Sequence, residues 1–250
     1  MVYPVRTPSA PDVLADAGRD SYRLRIEEST VTHDLLNPLG SRFSDAIVFA
    51  AELHRLQRRK GTQIPYMSHI LGVTSIVLEY GADEDEAIAA VLHDAIEDAP
   101  GSLGPNKAAT VRDFIRFKFG ARVLEIVECC TDADVEPKPA WRQRKEQYVS
   151  RIAHEPASAL LVSAADKLHN VRAILKDFRT GGPTVFDRFN AAAGAEGTIG
   201  YYRGLANAFQ IRIPNLDDPR LGDLVAEVDT TVTELEREVG IVGQWPLQRE

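Results

Sequence analysis

From Phe43 onward, the pattern of apolar and polar positions along the chain is helical. Apolar residues recur every three or four positions in successive segments, and short breaks containing glycine or proline separate these segments. No alternating pattern typical of a β-strand extends over a useful length. The chain is therefore predicted to be all-α.

The turn and capping residues help to place the predicted helices. Ser44 is a candidate N-cap for the first helix, Gly81 closes the second, and Asp83 with Glu86 has the spacing of a capping box at the start of the third. The segment GSLGPN, residues 101–106, is predicted to be a loop. The predicted helices span residues 44–59, 66–81, 83–99, 107–120, 121–133, 140–155, 156–179, 197–210 and 218–240.

The two ends of the chain differ from its middle. Residues 1–40 are rich in Pro, Ser and Asp, which predicts an irregular arm. Residues 41–212 are predicted to form the main helical domain, and residues 213–250 a C-terminal helix and tail. The last predicted helix carries an apolar stripe that can pack inside the domain or between subunits, so a homo-oligomer stays open. The stripe consists of Leu221, Leu224, Val225, Val228, Val232, Leu235 and Val239.

The segment AAVLHDAIEDA, residues 89–99, concentrates acidic side chains and a histidine. On one continuous helix, His93, Asp94, Glu97 and Asp98 share an arc opposite the apolar residues. The predicted helix 83–99 contains no Lys or Arg, and carboxylates near a helix C-terminus are disfavoured by up to ~1 kcal/mol each. Either basic side chains from elsewhere or a metal ion would offset this charge.

Two further residues, one acid and one histidine, are candidates to join this cluster of acids and His93. Asp166 lies in a largely apolar predicted helix, where a buried carboxylate needs a partner, either an arginine or a metal ion. His69 on the second predicted helix is a further candidate ligand. Two imidazoles and two carboxylates, from His69, His93, Asp94 and Asp166, suit Mn²⁺, Fe²⁺ or Zn²⁺. The absence of thiolates argues against a structural zinc site.

Composition narrows the class of partner and the compartment. The formal net charge of -8 over 250 residues argues against nucleic acid or an anionic membrane as the main partner. Cys129 and Cys130 are adjacent and form a poor disulfide candidate, so a cytoplasmic location is expected. The first residues lack the apolar region of a secretory signal, and no apolar run approaches the ~20 residues that span a bilayer.

Three motifs in order resemble a known family. YMSH at 66–69, LHDAIED at 92–98 and ADKLHN at 165–170 resemble the H…HD…D pattern of the HD-domain metal-dependent phosphohydrolases. With RRKGTQIPY at 58–66 and FGARVLEIVECCTD at 119–132, the closer resemblance is to the RelA/SpoT-type hydrolase domain and the stand-alone small alarmone hydrolases of the metazoan SpoT homologue type. This resemblance covers roughly residues 43 to 180.

The resemblance implies a fold, a cofactor and an activity. The fold would be the all-α HD domain, with one Mn²⁺ held by His69, His93, Asp94 and Asp166. Glu97 and Asp98 would orient or activate the attacking water. The implied reaction removes the 3′-pyrophosphate of (p)ppGpp and gives pyrophosphate with GDP or GTP.

Positive side chains must balance the phosphates of such a substrate. The candidate substrate-binding cations are Arg58, Arg59, Lys60, Arg142 and Lys145, and the resemblance implies that Asn170 contacts the nucleotide. For Arg142 and Lys145, a solvated helix face is an equal alternative.

Ala173 stands where the family usually has threonine, so an HD hydrolase of another nucleotide phosphate, of nucleotidase or NADPH phosphatase type, remains an alternative. A non-catalytic nucleotide-binding HD protein is a third reading, against which the complete ligand set argues.

Overall fold

A computed structural model of the chain describes residues 39–104, 107–133, 137–189 and 193–246. Most of the predicted N-terminal arm, residues 1–38, lies outside the described residues, as do the last four residues of the predicted tail. All the described residues belong to one unit, Asn37–Glu250. The α-helices in chain order are α1 Ser41–Leu53, α2 Met67–Glu79, α3 Glu84–Leu92, α4 Ala95–Leu103, α5 Lys107–Phe119, α6 Ala121–Cys130, α7 Trp141–Arg151, α8 Ala157–Gly181, α9 Gly194–Arg212 and α10 Arg220–Val239.

The all-α prediction is confirmed. Within the described ranges, the β-type pairing is one isolated bridge between Arg58 and Pro65. The predicted capping box is present, because Asp83 accepts from the Glu86 amide and the Glu86 side chain accepts from the Asp83 amide, both at 2.9 Å. Gly81 ends α2 with a φ of 77°, a value that favours glycine.

The prediction of one continuous helix over residues 83–99 is wrong. Helix α3 ends at Leu92, His93 and Asp94 form a turn, and α4 begins at Ala95. We attribute the break to the His93 ring, whose Nδ1 donates to the Ala90 carbonyl oxygen at 2.8 Å. In an unbroken helix, that carbonyl would accept from the Asp94 amide.

Three smaller predictions of helix limits are also wrong. The first helix begins at Ser41 after Gly40, so Ser44 is not its N-cap. It ends at Leu53 because the chain turns at His54–Gln57, where the Gln57 amide donates to the His54 carbonyl at 2.9 Å. Residues 101–103 of the predicted loop belong to the last turn of α4.

The C-terminal helix α10 packs inside the domain. Six of the seven apolar stripe residues are buried, and the seventh, Val239, packs against the same core. Helix α10 contacts α8 and α9 with this face. The stripe is therefore used within the chain, and the boundary at residues 212 and 213 stays a prediction. In the part of the chain that the structure describes, no helix combines the length and apolar character needed to cross a membrane.

Candidate metal centre

Four side chains from three parts of the fold converge on one buried point. His69 comes from the first turn of α2, His93 and Asp94 from the turn between α3 and α4, and Asp166 from the middle of α8. The Nε2 atoms of His69 and His93 are 3.2 Å apart. The ligand atoms of His69, His93 and Asp166 all lie within 4.8 Å of one another. The structure therefore brings together the four residues predicted from the sequence.

The carboxylate oxygens complete this cluster. Oδ2 of Asp94 lies 3.0 Å from Nε2 of His93 and 3.5 Å from Nε2 of His69. Oδ1 of Asp166 lies 3.2 Å from Nε2 of His69 and 3.8 Å from Nε2 of His93. The two imidazole nitrogens and the Asp166 oxygen thus face one shared position, and the Asp94 oxygen lies beside the two histidines at its edge. Such a set of nitrogen and oxygen donors fits a transition-metal ion.

The hydrogen bonds of the outer ring nitrogens set the direction of the inner ones. Nδ1 of His93 faces the Ala90 carbonyl at 2.8 Å and must carry a proton, because a carbonyl oxygen only accepts. In a neutral ring, Nε2 of His93 then presents its lone pair to the site. Nε2 of His69 also faces the site, and its Nδ1 lies 2.9 Å from Nδ1 of His169, so one of these two nitrogens donates to the other. Metal-bound histidines usually have such a partner on the other nitrogen.

The two ligand carboxylates have partners of their own. The Tyr66 hydroxyl donates to Oδ2 of Asp94 at 2.5 Å. Asp166 accepts from the Lys167 ammonium and, at 2.5 Å, from the Asn170 side-chain amide. Sequence reasoning did not single out Tyr66 as a site residue. Its position three residues before His69 was the available signal, because it places both at the start of α2.

The electrostatics of the cluster favour positive charge at its centre. Burial lowers the pKa of His93, but the carboxylates of Asp94 and Asp166 outweigh it and raise this pKa to about 9. Burial raises the pKa of Asp94, but His93 and His69 hold it well below its usual value. The pKa of Asp166 is likewise lowered against burial, chiefly by Lys167 and His69. A proton or a metal cation satisfies the same need.

The acidic pair after the turn lies in two different environments. Glu97 accepts from the Lys138 ammonium at 2.9 Å and from the Asp132 amide at 3.3 Å. Asp98 accepts from the Gln57 side-chain amide at 2.8 Å. Burial and then the Asp94 charge raise the pKa of Asp98 to about 7, against the lowering effect of the Gln57 bond. Asp98 is thus able to exchange a proton near neutral pH.

A cavity of about 610 Å³ lies beside the cluster and is lined by Tyr66, His169 and Asn170 among others. Arg59 connects this cavity to the cluster, because it donates to Oδ1 of Asn170 at 3.0 Å and Asn170 donates to Asp166. The basic lining residues are Arg59, Lys60, Arg172, Lys176 and Arg188. The cavity therefore offers positive charge close to the candidate metal ligands.

The other predicted substrate residues lie elsewhere. Arg58 is exposed and donates to the Gln63 carbonyl at 2.7 Å. Arg142 pairs with Glu146 at 3.0 Å. Lys145 donates to Asp132 at 2.8 Å and lies over the Tyr201 ring. None of these three lines the cavity, and their roles stay predictions.

Comparison with known proteins defines the class. A family model described as HD domain matches residues 46–194, more than half of the chain. The chain therefore belongs to the HD-domain family, as the motifs predicted. Members of this family are metal-dependent hydrolases, and the cluster of His69, His93 and Asp166 can hold such an ion.

Curated relatives narrow this class. The chain is 37% identical over 145 residues to guanosine-3′,5′-bis(diphosphate) 3′-pyrophosphohydrolase MESH1 of Mus musculus, which is 57% of this chain and 74% of that protein. It is 37% identical over 136 residues to MESH1 of Homo sapiens, covering 53% and 69%. A guanosine-3′,5′-bis(diphosphate) 3′-pyrophosphohydrolase from Aquifex aeolicus (strain VF5) is 32% identical over 130 residues, covering 52% of this chain and 17% of that protein.

Solved structures agree on the fold. A metazoan ortholog of SpoT, described as hydrolysing ppGpp and playing a role in starvation responses, aligns with a TM-score of 0.56 and 24% identity, covering 81% of this chain and 98% of that chain. The lmo0812 protein of Listeria monocytogenes EGD-e aligns with a TM-score of 0.56 and 22% identity, covering 68% and 99%.

Proposed function

We propose that the protein is a metal-dependent 3′-pyrophosphohydrolase of (p)ppGpp. The observation that carries this proposal is the convergence of His69, His93, Asp94 and Asp166 beside a basic cavity. The activities in the names of the MESH1 relatives support the choice of substrate. The mixed nitrogen and oxygen ligand set supports Mn²⁺ as the ion, with Fe²⁺ and Zn²⁺ as alternatives.

The four ligands would hold one divalent cation in a buried site. When bound, that cation supplies Lewis-acid activation of water and offsets phosphate charge. Tyr66, Lys167 and Asn170 fix the ligand carboxylates, and His169 fixes the ring of His69. These contacts reduce the reorganisation needed when substrate binds.

Glu97 and Asp98 are proposed to manage the attacking water. Glu97 is oriented by Lys138 and the Asp132 amide. Asp98 is proposed to take the proton, because it follows Glu97 in the first turn of α4 and its carboxylate is held by the Gln57 side-chain amide at 2.8 Å. As the water oxygen bonds to phosphorus and the water proton passes to Asp98, the bond from phosphorus to the ribose 3′ oxygen breaks and pyrophosphate is released. The ribose 3′ oxygen takes a proton from solvent and becomes the hydroxyl group of GDP or GTP, and Asp98 returns its proton to solvent.

The cavity is proposed to hold the nucleotide. Arg59, Lys60 and Asn170 would contact it, as the sequence predicted. Arg188 lines the same cavity and pairs with the carboxylate of Asp177, which also lines it. Phe189 and Tyr202 offer aromatic surface to a base. The volume of about 610 Å³ lies in the range of small-molecule sites.

One observation favours a second candidate, an HD hydrolase of another nucleotide phosphate. Ala173 lines the cavity at the position where the resemblance predicts threonine. A methyl group offers no hydroxyl to a ligand, so the contact at this position differs. The substrate would then be a nucleotide of similar size and charge.

The deciding experiment incubates the purified protein and Mn²⁺ with ppGpp, NADPH and simple nucleoside mono- and triphosphates. We expect pyrophosphate from ppGpp and little product from the others. Orthophosphate from another nucleotide, with ppGpp intact, would favour the second candidate. No turnover together with no bound metal would contradict both enzymatic proposals.

We also propose that the protein is cytoplasmic and that nucleic acid is not among its binding partners. Cys129 and Cys130 are free thiols in the structure, which suits a reducing compartment. The net charge of -8 disfavours binding to polyanions other than through a local basic site such as the cavity.

A further inference from the structure

A chain of three side chains leads from the end of α1 to the acidic pair. Nδ1 of His54 lies 2.6 Å from Oε1 of Gln57, and Nε2 of Gln57 donates to Oδ2 of Asp98 at 2.8 Å. His54 is buried, although it lies in none of the sites described above. A buried histidine aimed through a glutamine at a proposed catalytic carboxylate needs an explanation.

The positions of the protons determine which group donates in each hydrogen bond between His54, Gln57 and Asp98. Oε1 of Gln57 only accepts, so Nδ1 of His54 must donate to it. Nε2 of His54 is buried and has no hydrogen-bond partner among the described residues. A neutral ring carries one proton, and placing it on Nδ1 avoids an unpaired buried N–H. Burial also lowers the pKa of His54, which keeps the ring neutral.

The hydrogen bond from His54 decides which atom of the Gln57 amide group faces Asp98. With Oε1 held by His54, the amide group of Gln57 can present only its N–H to the carboxylate. If the amide were rotated by 180°, its oxygen would face Oδ2 of Asp98 and would repel the ionised form. A donor at His54 thus selects the productive orientation of Gln57.

The backbone of the same turn also supports a metal ligand. The Gln57 carbonyl accepts from the Tyr66 amide at 3.0 Å, and the Tyr66 hydroxyl donates to Asp94. At the other end of the turn, the His54 amide donates to the Ala50 carbonyl at 2.9 Å, so the turn at residues 54–57 is fixed at both ends. It provides a rigid base from which Gln57 reaches Asp98.

We propose that His54 and Gln57 are positioning residues, with His54 orienting the Gln57 amide so that its N–H group holds Asp98 in place for the reaction. This inference rests on the proposed function, because it assumes that Asp98 acts on the attacking water. It assigns no contact with substrate or metal to either residue.

The kinetic test is a double-mutant cycle on pyrophosphate release from ppGpp with Mn²⁺. Gln57→Leu should lower kcat about 10- to 100-fold, as expected for a misplaced catalytic group, while KM and bound Mn²⁺ stay within about twofold. His54→Leu should lower kcat by about tenfold. The double variant should be no slower than Gln57→Leu, because both changes break one chain.

Two further variants serve as controls. His54→Asn places an amide N–H near the former Nδ1 position and should recover most of the kcat lost in His54→Leu. His154→Leu makes the same change at an exposed histidine and should leave kcat unchanged. Three results would overturn the proposal. His54→Leu could keep the wild-type kcat, the double variant could lose kcat by the product of the two single losses, or the single variants could raise KM without lowering kcat.

A second measurement does not depend on activity or on folding of the variants. Nitrogen NMR of ¹⁵N-histidine-labelled wild-type protein should show His54 as the neutral ring protonated on Nδ1. A ring protonated on Nε2, or on both nitrogens, would overturn the proposal.

The outcome for the substrate separates this inference from the proposed function. If the enzyme hydrolyses another nucleotide but not ppGpp, the proposed function fails, and the same cycle is measured with that nucleotide. If the wild-type protein hydrolyses no nucleotide of the panel, both proposals fail.

Discussion

The two ends of helix α3 handle negative charge in opposite ways. At its first turn, the carboxylates of Glu84, Asp85 and Glu86 meet guanidinium groups. The partners are Arg42, Arg122 and Arg220, which come from α1, α6 and α10. At its last residue, the chain turns through His93 and Asp94, which face His69 and Asp166.

The difference lies in the partners. An arginine stays charged at all relevant pH values and occupies a carboxylate with fixed hydrogen bonds. An imidazole can lose its proton and offer a lone pair instead. We therefore expect the first turn of α3 to contribute to stability, and we propose that the turn after Leu92 holds an exchangeable cation.

The largest predicted effect distinguishes the two ends by one chemical change. Asp94→Asn should lower kcat about a thousandfold or more, because loss of a metal ligand removes several kcal/mol of transition-state stabilisation. Asp85→Asn makes the same change at the arginine-rich end and should keep kcat within about twofold. The measurement is the rate of pyrophosphate release with Mn²⁺. Equal losses in both variants would remove the distinction.

The next largest effect concerns the arginine-rich end. Glu86 is buried and accepts from Arg220 at 2.7 and 3.0 Å, so Arg220→Met leaves a buried carboxylate without its main partner. The free energy of unfolding should fall by about 3 kcal/mol in chemical denaturation.

The control for this loss is an exposed ion pair. Lys118 and Asp45 lie 2.7 Å apart with both side chains more than 40% exposed, so Lys118→Met should change stability by less than about 1 kcal/mol. If Arg220→Met loses metal but not stability, the assignment of roles to the two ends is wrong.

Among the described residues, Asp98 lacks both an arginine partner and a place among the candidate metal ligands. Its predicted effect on the free energy of unfolding is smaller and depends on pH. Its pKa of about 7 exceeds the usual ~3.9, so between these values the folded state binds a proton that the unfolded state lacks. Its contribution to stability is therefore present at low pH and is lost as pH rises towards 7 and above.

Asp98→Asn removes this titration. The variant should be more stable than wild type by at least about 1 kcal/mol at pH 8, with little gain at pH 4, in denaturation curves with chelator present. A gain that is equal at both pH values would contradict the raised pKa.

The smallest effect concerns the hydroxyl that supports Asp94. Tyr66→Phe removes one hydrogen bond to this ligand, which is worth about 1 kcal/mol, or about fivefold in Mn²⁺ affinity. Tyr80→Phe removes the hydroxyl that bonds Glu227 at the other end of α2 and should leave the affinity unchanged. Calorimetric titration measures both. Equal affinities in the two variants would exclude a role for Tyr66 in holding Asp94.

The sequence predicted the helical fold and the four candidate ligands, because both leave short-range patterns. It did not predict the break at His93, which depends on a side chain competing for the Ala90 carbonyl. The break also reverses one argument: Glu97 and Asp98 lie in the first turn of α4, where the helix dipole favours carboxylates.

The sequence also did not predict ion pairs between residues that are far apart along the chain. Arg220 is 134 residues from Glu86, and Lys138 is 41 residues from Glu97. No local spacing indicates such pairs. The sequence left basic partners and a metal ion as even choices for Asp94, Glu97 and Asp98. In the structure Glu97 has a basic partner, Lys138, whereas Asp94 lies beside the candidate ligands His69 and His93.

The most direct test of the proposed metal centre is the Mn²⁺ stoichiometry of the purified protein after equilibrium dialysis. We expect one ion per chain in wild type and in Asp85→Asn, and none in His93→Ala. Wild-type protein without bound ion, or His93→Ala that retains its ion, would contradict the metal centre at the turn between α3 and α4.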